Sequence, residues 1–589
     1  MFDSPPGHHN SEIGKVWLIR LLWEQKNEGS NPSSPTISES ILSLDESVTE
    51  LSIIFCYSLN RLMAHVIIFT DRSPETSSMD EVGWTNQLYT LPAGAYKVAS
   101  HLRSQGYSVL VVPNCLSYTF AGLKEIICNN SRDLLWVGVS TTFLTIKTAS
   151  VDDYRASWTR ESNLIFDQNP LYNKNIKSFQ ASKQLAWSDV ELNLIGDWLK
   201  QAYNAPLLIG GAWVTTIKNG NLSNLNNNCF IVAGRAETFV ESFTKQKAND
   251  VHATPEYVNN NSLYDDHFYK TSQMIWHPHD FIDKADWLPL EISRGCAFNC
   301  SFCDYDRKAN FDNYKNPDTL LQELIRNYEQ HGVTKYHLLD DLYNDSKEKV
   351  RELYDKVWSK LPFTPEWVSY MRLDMFWADP ESADIIKASG AKLGSFGIET
   401  LHDRAGKKVG KGLGKTRILE TLAMLKEKWG TDTLVSGLFI AGLPYEPRES
   451  IVETIEWAMS TDLLFNYHYT PLWITPPSHY EMVKKFNNIS LHNNQYGVEW
   501  ISADDWVNTE GLTFKEVDQL SQMANSQKPS GVRAIQGQYP DFRTAGVTHD
   551  EYVRLKTDSS LSYRILEANE TKNKKIAARI QKVLDLKDI

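Results

Sequence analysis

Short apolar runs alternate with amphipathic segments over most of the chain. Between residues 63 and 250 the apolar runs are His65–Thr70, Ser108–Pro113, Leu134–Ser140, Pro206–Gly210 and Phe230–Ala233. Ala93–Ser104, Thr119–Cys128 and Asp189–Ala202 lie between them with helical spacing of apolar positions. Ser188 and Glu191 open the last of these as a capping box. Strands that are apolar on both faces and separated by helices predict a doubly wound parallel sheet. The alternation restarts over residues 285–475. Strands are expected there at Leu288–Ser293, Lys335–Leu339, Glu366–Tyr370, Lys392–Ile398, Leu434–Ala441 and Leu464–Tyr469. Helices are expected at Pro317–Gln330, Lys347–Trp358, Pro380–Ala388, Lys415–Lys428 and Arg448–Met459, the third with Asp379 as N-cap and Pro380 at its first position. Six such units predict a partial (β/α)6 barrel, so the fold class is α/β.

The flanks read differently. Residues 1–62 form a poorly structured extension, with a Ser/Asn/Pro/Gly-rich stretch at Asn27–Ser40 and short helices at Ile13–Gln25 and Ser38–Leu51. Met63, just ahead of the first strong strand, reads as an alternative start. Residues 145–187 interrupt the first sheet as a lid or an idle insertion. Residues 251–284 read as a linker, with His252, His267, His277 and His279 expected at the surface. The C-terminal region, 476–589, reads as mostly helical and ends in a charged helix, Tyr563–Leu586. Trp473, Pro476, Pro477, Tyr480, Trp500 and Trp506 either close the barrel mouth or pack a small domain, packing being the simpler reading.

Composition narrows the classes. The chain has 589 residues, 42% of them hydrophobic, enough for several cores. A net charge of −13 argues against a broad nucleic-acid surface. No apolar run reaches the ~18–20 residues of a membrane span, and no basic-then-apolar leader is present. Cys56, Cys115, Cys128 and Cys229 are scattered without a disulfide framework, which fits a reducing, cytoplasmic setting.

The other three cysteines are not scattered. Cys296, Cys300 and Cys303 follow the first predicted barrel strand with the spacing C-x3-C-x2-C. Thiolates are soft ligands for zinc or iron–sulfur clusters. A closed zinc site would need a fourth ligand, such as a distant histidine. Three thiolates on a cubane would leave one iron open. With the aromatic Phe302 before the last cysteine, the motif resembles that of the radical S-adenosylmethionine (SAM) superfamily. The resemblance implies a [4Fe–4S] cluster on Cys296, Cys300 and Cys303, with SAM chelating the open iron and cleaved to a 5′-deoxyadenosyl radical. It also implies SAM-binding positions at the strand ends. Asp340 and Asp341 match a D-D-x-F segment whose position binds the SAM amino group. Arg372 could pair with the SAM carboxylate, or with Asp374. Glu399 ends a G-I-E-S-like strand, and Gly442 lies in a G-x-I-x-G-x-P-like turn. Lys407, Lys408 and Lys411 resemble a K-x-x-x-K-G turn, Lys407 reading as solvated.

Residues 63–250 resemble the Rossmann-like cobalamin-binding domain found ahead of many radical SAM domains. Leu91-Pro92-Ala93-Gly94 and Val137-Gly138-Val139-Ser140 match its helix and strand motifs, and Gly210-Gly211 its double-glycine turn. Its last turn is degraded to Gly234-x-x-Glu237. The resemblance marks Ser140, Thr141, Gly210, Gly211 and Gly234 as possible cobalamin contacts. D-x-H-x-x-G is missing, so no lower histidine is offered, and the loop Asp71–Leu91 would line the corrinoid's lower face without one.

The function these resemblances imply is cobalamin-dependent methylation of an unactivated carbon, in a small-molecule or peptide substrate. An electron donor such as flavodoxin or ferredoxin would be required. A cobalamin-independent radical rearrangement or coupling, and a non-catalytic metal-binding scaffold, are the alternatives. A methylthiotransferase acting on RNA fits less well, since its extra cysteine triad is missing.

Overall fold

The structure is a computed structural model, and it describes residues 63–71, 91–115, 118–131, 133–141, 146–147, 187–211, 225–233, 236–254, 258–259, 268–303, 314–474, 498–502, 505–527 and 539–588. The expectations for residues 1–62, for the insertion between 148 and 186, for Gly234, for His267 and for Pro476, Pro477 and Tyr480 lie outside these residues, as does most of the loop after Asp71.

The first sheet contains β1 (Val66–Thr70), β2 (Val109–Val112), β3 (Trp136–Ser140), β4 (Leu207–Gly210), β5 (Cys229–Ala233) and the two-residue β6 (Val258–Asn259). Its order is β2-β1-β3-β4-β5-β6, parallel throughout. The winding reverses beside β1, the position where such sheets receive ligands at their carboxyl ends. Helices α1 (Ala93–Ser104), α2 (Phe120–Asn130) and α3 (Asp189–Tyr203) fall within two residues of expectation. Helix α4 (Glu237–Asn249) was not anticipated: it buries little apolar surface, chiefly Val240 and Phe243, and packs on α1.

The second sheet contains β7 (Trp287–Leu290), β8 (Lys335–Leu338), β9 (Glu366–Met371), β10 (Ala391–Glu399), β11 (Leu434–Ala441) and β12 (Asn466–Pro471). Each strand pairs in parallel with its neighbours in sequence. That consecutive order makes the wall of a partial barrel, with β7 and β12 at its edges. One cap differs from expectation. Asp379 gives its carboxylate to Arg351, at 2.5 and 2.9 Å, and the helix starts at Ser382 behind Glu381. A guanidinium fork outcompetes the backbone amide for that carboxylate. A hairpin of Glu499–Ser502 and Asp505–Val507 adds strand structure to the C-terminal region. Trp506 is fully buried there and donates to the Leu472 carbonyl at 3.0 Å, while Trp473 stays exposed.

Ile68, Trp136, Leu208 and Val232 of the first sheet share one continuous core with Leu288, Leu290 and Tyr336 of the second. The segment read as a linker joins this core through Met274 and Trp276. Asp280 within it is gripped by Arg103 of α1 at 2.7 and 2.9 Å. His277 and His279 are not free surface residues: their rings stack, with Nδ1 atoms 2.8 Å apart, and burial lowers the His277 pKa to about 4. The last helix, Ser562–Leu584, touches both halves. Ile576, Ile580 and Val583 pack under the first sheet, and Ile565 and Ala568 join the cluster against Val368 and Leu393 of the barrel. Among the described residues no helix is long and apolar enough to cross a membrane.

Candidate cofactor-binding site

The loop after β7 is fixed by its backbone. Asp340, just past β8, is buried, and its Oδ1 accepts the amides of Ile292 at 3.0 Å and Ser293 at 2.7 Å. That atom therefore anchors the loop. Gly295 then turns with φ of 77°, and the three cysteines follow. Cys300 is buried, and Cys296 and Cys303 are half-buried. The turn after β10 forms the opposite wall. Ser301 donates to the Val409 carbonyl at 3.1 Å. Gly410, with φ of 90°, approaches so closely that a Cβ would lie 3.2 Å from the Asn299 oxygen and 3.3 Å from Cys300 Cα.

Charge is arranged around this loop. Arg372 Nη1 donates to Cys300 Sγ at 3.3 Å while its guanidinium lies over Phe298, 3.9 Å from the ring centre. The same guanidinium holds Asp374 in bidentate fashion at 2.8 and 2.6 Å, the alternative partner foreseen for it. Burial pushes the Cys296 thiol pKa up, and the charges of Cys300 and Asp341 push the same way. Ligation by a metal centre would deprotonate the thiols. Among the described residues no three His, Cys, Asp or Glu side chains converge as ligands of one metal ion do. What the structure brings together is three thiols on one loop, one of them accepting from a guanidinium, a soft donor set of the kind an iron–sulfur cluster takes.

The remaining strand ends carry paired groups. Glu399 sits in the left-handed region with φ of 68°, and Lys411 meets its carboxylate at 3.0 Å. Lys411 also donates to the Gly397 carbonyl at 2.8 Å and lies 5.6 Å from the Phe302 ring centre. Asp341 is half-buried, and Lys407 and Lys408 are exposed. Gly442 has φ of 88°, and a Cβ there would come within 2.6 Å of Trp506. One residue escaped the sequence reading. Glu446 is buried, accepts from Gly442 and Leu443 amides at 3.2 and 3.3 Å, and takes the Thr400 hydroxyl. Burial raises its pKa to about 7. It ties the end of β10 to the end of β11. The available signal was a carboxylate four residues beyond a strand-end glycine.

A cavity of about 350 Å³ lies at the carboxyl edge of the first sheet. Ser140, Gly210 and Gly211 line it with Ile68, Gly138 and Val232, and helices α1 and α4 flank it. Thr141 lies buried beside it and donates its amide to the Gly210 carbonyl at 2.7 Å. Glu291, Arg294 and Leu339 of the barrel complete the wall, so the cavity opens against the cysteine loop. At the ends of β1, β2 and β3, the hydroxyls of Thr70 and Thr141 and both amide atoms of Asn114 are buried without a hydrogen-bond partner among the described residues.

A six-stranded parallel barrel wall with a cysteine triad after its first strand, behind a doubly wound domain, defines a two-part α/β class. Residues 290–458 match the model of the Radical SAM superfamily. Those residues are therefore similar to a radical SAM domain, a class whose cofactors are a [4Fe–4S] cluster and SAM. An uncharacterized methyltransferase of Pyrococcus horikoshii is 27% identical over 184 residues, 31% of this chain and 39% of that protein. The anaerobic magnesium-protoporphyrin IX monomethyl ester cyclase of Cereibacter sphaeroides is 26% identical over 188 residues, 31% of this chain and 30% of that protein. The chain thus spans two-fifths or less of the length of these curated relatives. The structure of the radical S-adenosylmethionine methyltransferase TsrM from Kitasatospora setae, with cobalamin and a [4Fe–4S] cluster bound, superposes with a TM-score of 0.50 at 14% identity, covering 85% of this chain and 90% of that one. That likeness establishes the shared fold.

Proposed function

We propose that the chain is a corrinoid-dependent radical SAM methyltransferase, acting on an unactivated carbon of a small-molecule or peptide substrate. The observation that carries this reading is the cavity, whose floor is strand-end glycine and whose far wall includes Glu291 and Arg294, just ahead of the cysteines. A planar ligand seated there would lie beside the cluster. Thr70, Thr141 and Asn114, at the neighbouring strand ends, hold buried polar atoms with no partner among the described residues, which a ligand's polar groups would satisfy. The TsrM fold, solved with both cofactors, supports it as well.

When bound, the cluster and SAM would supply a carbon-centred radical, and the corrinoid a methyl group; that chemistry belongs to the cofactors. The chain's own residues hold and orient. Cys296, Cys300 and Cys303 would ligate the cluster, and Arg372 would donate to the Cys300 sulfur. Asp341, Glu399 and the Gly442 backbone would surround SAM, with Lys411 holding Glu399 in place. Ser140, Gly210 and Gly211 would receive the corrinoid. A cytoplasmic setting and a flavodoxin- or ferredoxin-type reductant go with this reading. Anaerobic reconstitution with SAM and hydroxocobalamin tests it. Bound corrinoid, 5′-deoxyadenosine and about four irons per chain are expected. Tightly bound zinc in place of iron, or no corrinoid uptake, would overturn it.

A further inference from the structure

The charged groups in the cavity wall form one chain of ion pairs. Lys97 of α1 meets the Glu291 carboxylate. Arg294 holds Glu291 through Nε at 2.6 Å and, through Nη2, reaches Glu237 at the start of α4 at 2.7 Å. The four side chains are 8–16% exposed, and all four line the cavity. Burial alone would push the carboxylates up, yet Lys97 and Arg294 hold Glu291 well below the usual range, and Arg294 lowers Glu237. Buried charges are tolerated only when each is paired, and removing one strands its partner.

The network joins three elements that the apolar core already packs together, so holding the halves together does not account for it. Its members border the cavity on one side and lead to the cluster ligands on the other. Arg294 is the joint, two residues before Cys296. A guanidinium fork fixes angle as well as distance. From the opposite side Asp340 grips the amides of Ile292 and Ser293. The loop from Glu291 to Cys296 is thereby suspended between the barrel and the cavity wall.

We propose that Arg294 is a positioning residue through which a ligand in the cavity and the cysteine loop set each other's geometry. The inference rests on the cavity being the corrinoid site and the loop the cluster site. A ligand seated against α1 or α4 moves Lys97 or Glu237, and Arg294 carries the displacement to Cys296. Linkage then requires SAM and corrinoid to alter each other's affinity.

The test uses the full chain, anaerobically reconstituted, with SAM titrated in the presence and absence of hydroxocobalamin. The readouts are the SAM Kd and the electron paramagnetic resonance line shape of the reduced cluster. In the parent chain the corrinoid should change the SAM Kd about tenfold and alter the line shape. Glu237→Gln should keep its iron and bind both ligands, while the Kd change falls below about twofold. Glu237→Asp should recover part of it. Lys97→Met interrupts the other arm and should behave like Glu237→Gln, which keeps the test valid if one variant fails to fold. Unchanged coupling in the folded variants, or none in the parent chain, would sink the inference. A parent chain that takes up no cluster or no corrinoid would instead overturn the proposed function, and the inference with it.

Discussion

The two sheets present their carboxyl edges to ligands in opposite ways. The barrel edge is crowded with paired side chains: Glu399 with Lys411, Arg372 with Asp374 and Cys300, Glu446 with Thr400. The edge of the first sheet offers glycines, apolar walls and polar atoms that lack partners among the described residues. The first arrangement is preorganised by charge, which suits a small, highly charged ligand that must be held in one orientation. The second is preorganised by shape, which suits a bulky ligand bringing its own polar groups. The difference can be broken at either edge separately. The largest effect belongs to the cysteines. Replacing Cys296, Cys300 and Cys303 together with alanine should take iron from about four per chain to none, while corrinoid uptake persists. Loss of both by iron assay and absorbance would mean that the edges are not separable.

The converse break lies at Gly210. A Cβ there meets nothing closer than the Val232 carbonyl at 3.5 Å, an ordinary contact. Gly210→Leu should therefore fold, fill the cavity and abolish corrinoid uptake with full iron content. Gly211 is a poorer probe because its φ of 109° strains any side chain, and Gly138 because a Cβ would lie 2.9 Å from Trp136. Corrinoid bound at parent stoichiometry in Gly210→Leu would move the site away from this edge.

The contrast between the edges also explains what the sequence disclosed. Local signals were legible. The cysteine spacing, the strand-end glycines and the alternation of strands and helices placed both sheets, because parallel strands and their ligand-bearing ends are set by short-range pattern. Groups whose partners are remote were not legible. Arg294 finds Glu237 at a separation of 57 residues, and Lys97 finds Glu291 at 194. Asp340 was assigned to SAM, with Asp341, from the resemblance of their segment to D-D-x-F. Only tertiary structure shows that its Oδ1 belongs to the loop amides. Helix α4 was missed because its periodic apolar face is nearly reduced to Val240 and Phe243.

Glu446 sharpens the charged edge. Its folded pKa, raised by burial to about 7, lies above the ordinary 4.5. The folded chain therefore binds the extra proton in that window, and stability falls as pH rises from about 4.5 through 7. The stabilisation is fully present below the unfolded value and lost above the folded one, with a size on the order of 3 kcal/mol. Glu446→Gln should flatten that part of the stability–pH profile in thermal melts at pH 5 and pH 8. An unchanged slope would show that another group titrates there.

The smallest effect separates two lysines of one turn. Lys411 is half-buried and shared between the Glu399 carboxylate at 3.0 Å and the Gly397 carbonyl at 2.8 Å. Lys407 is exposed on the preceding helical turn, Asp403–Lys408. Lys411→Met leaves Glu399 without its counter-ion, in a left-handed backbone conformation that already needs support. The expected loss is about 2 kcal/mol of stability, since hydrogen bonds to charged groups contribute more than neutral ones. Lys407→Met removes a solvated charge and should stay within about 0.5 kcal/mol. Denaturant midpoints of the two variants give the comparison directly. Equal midpoints would mean that the Glu399–Lys411 pair contributes nothing, and that the barrel edge, like the glycine edge, is ordered by its backbone and not by its charges.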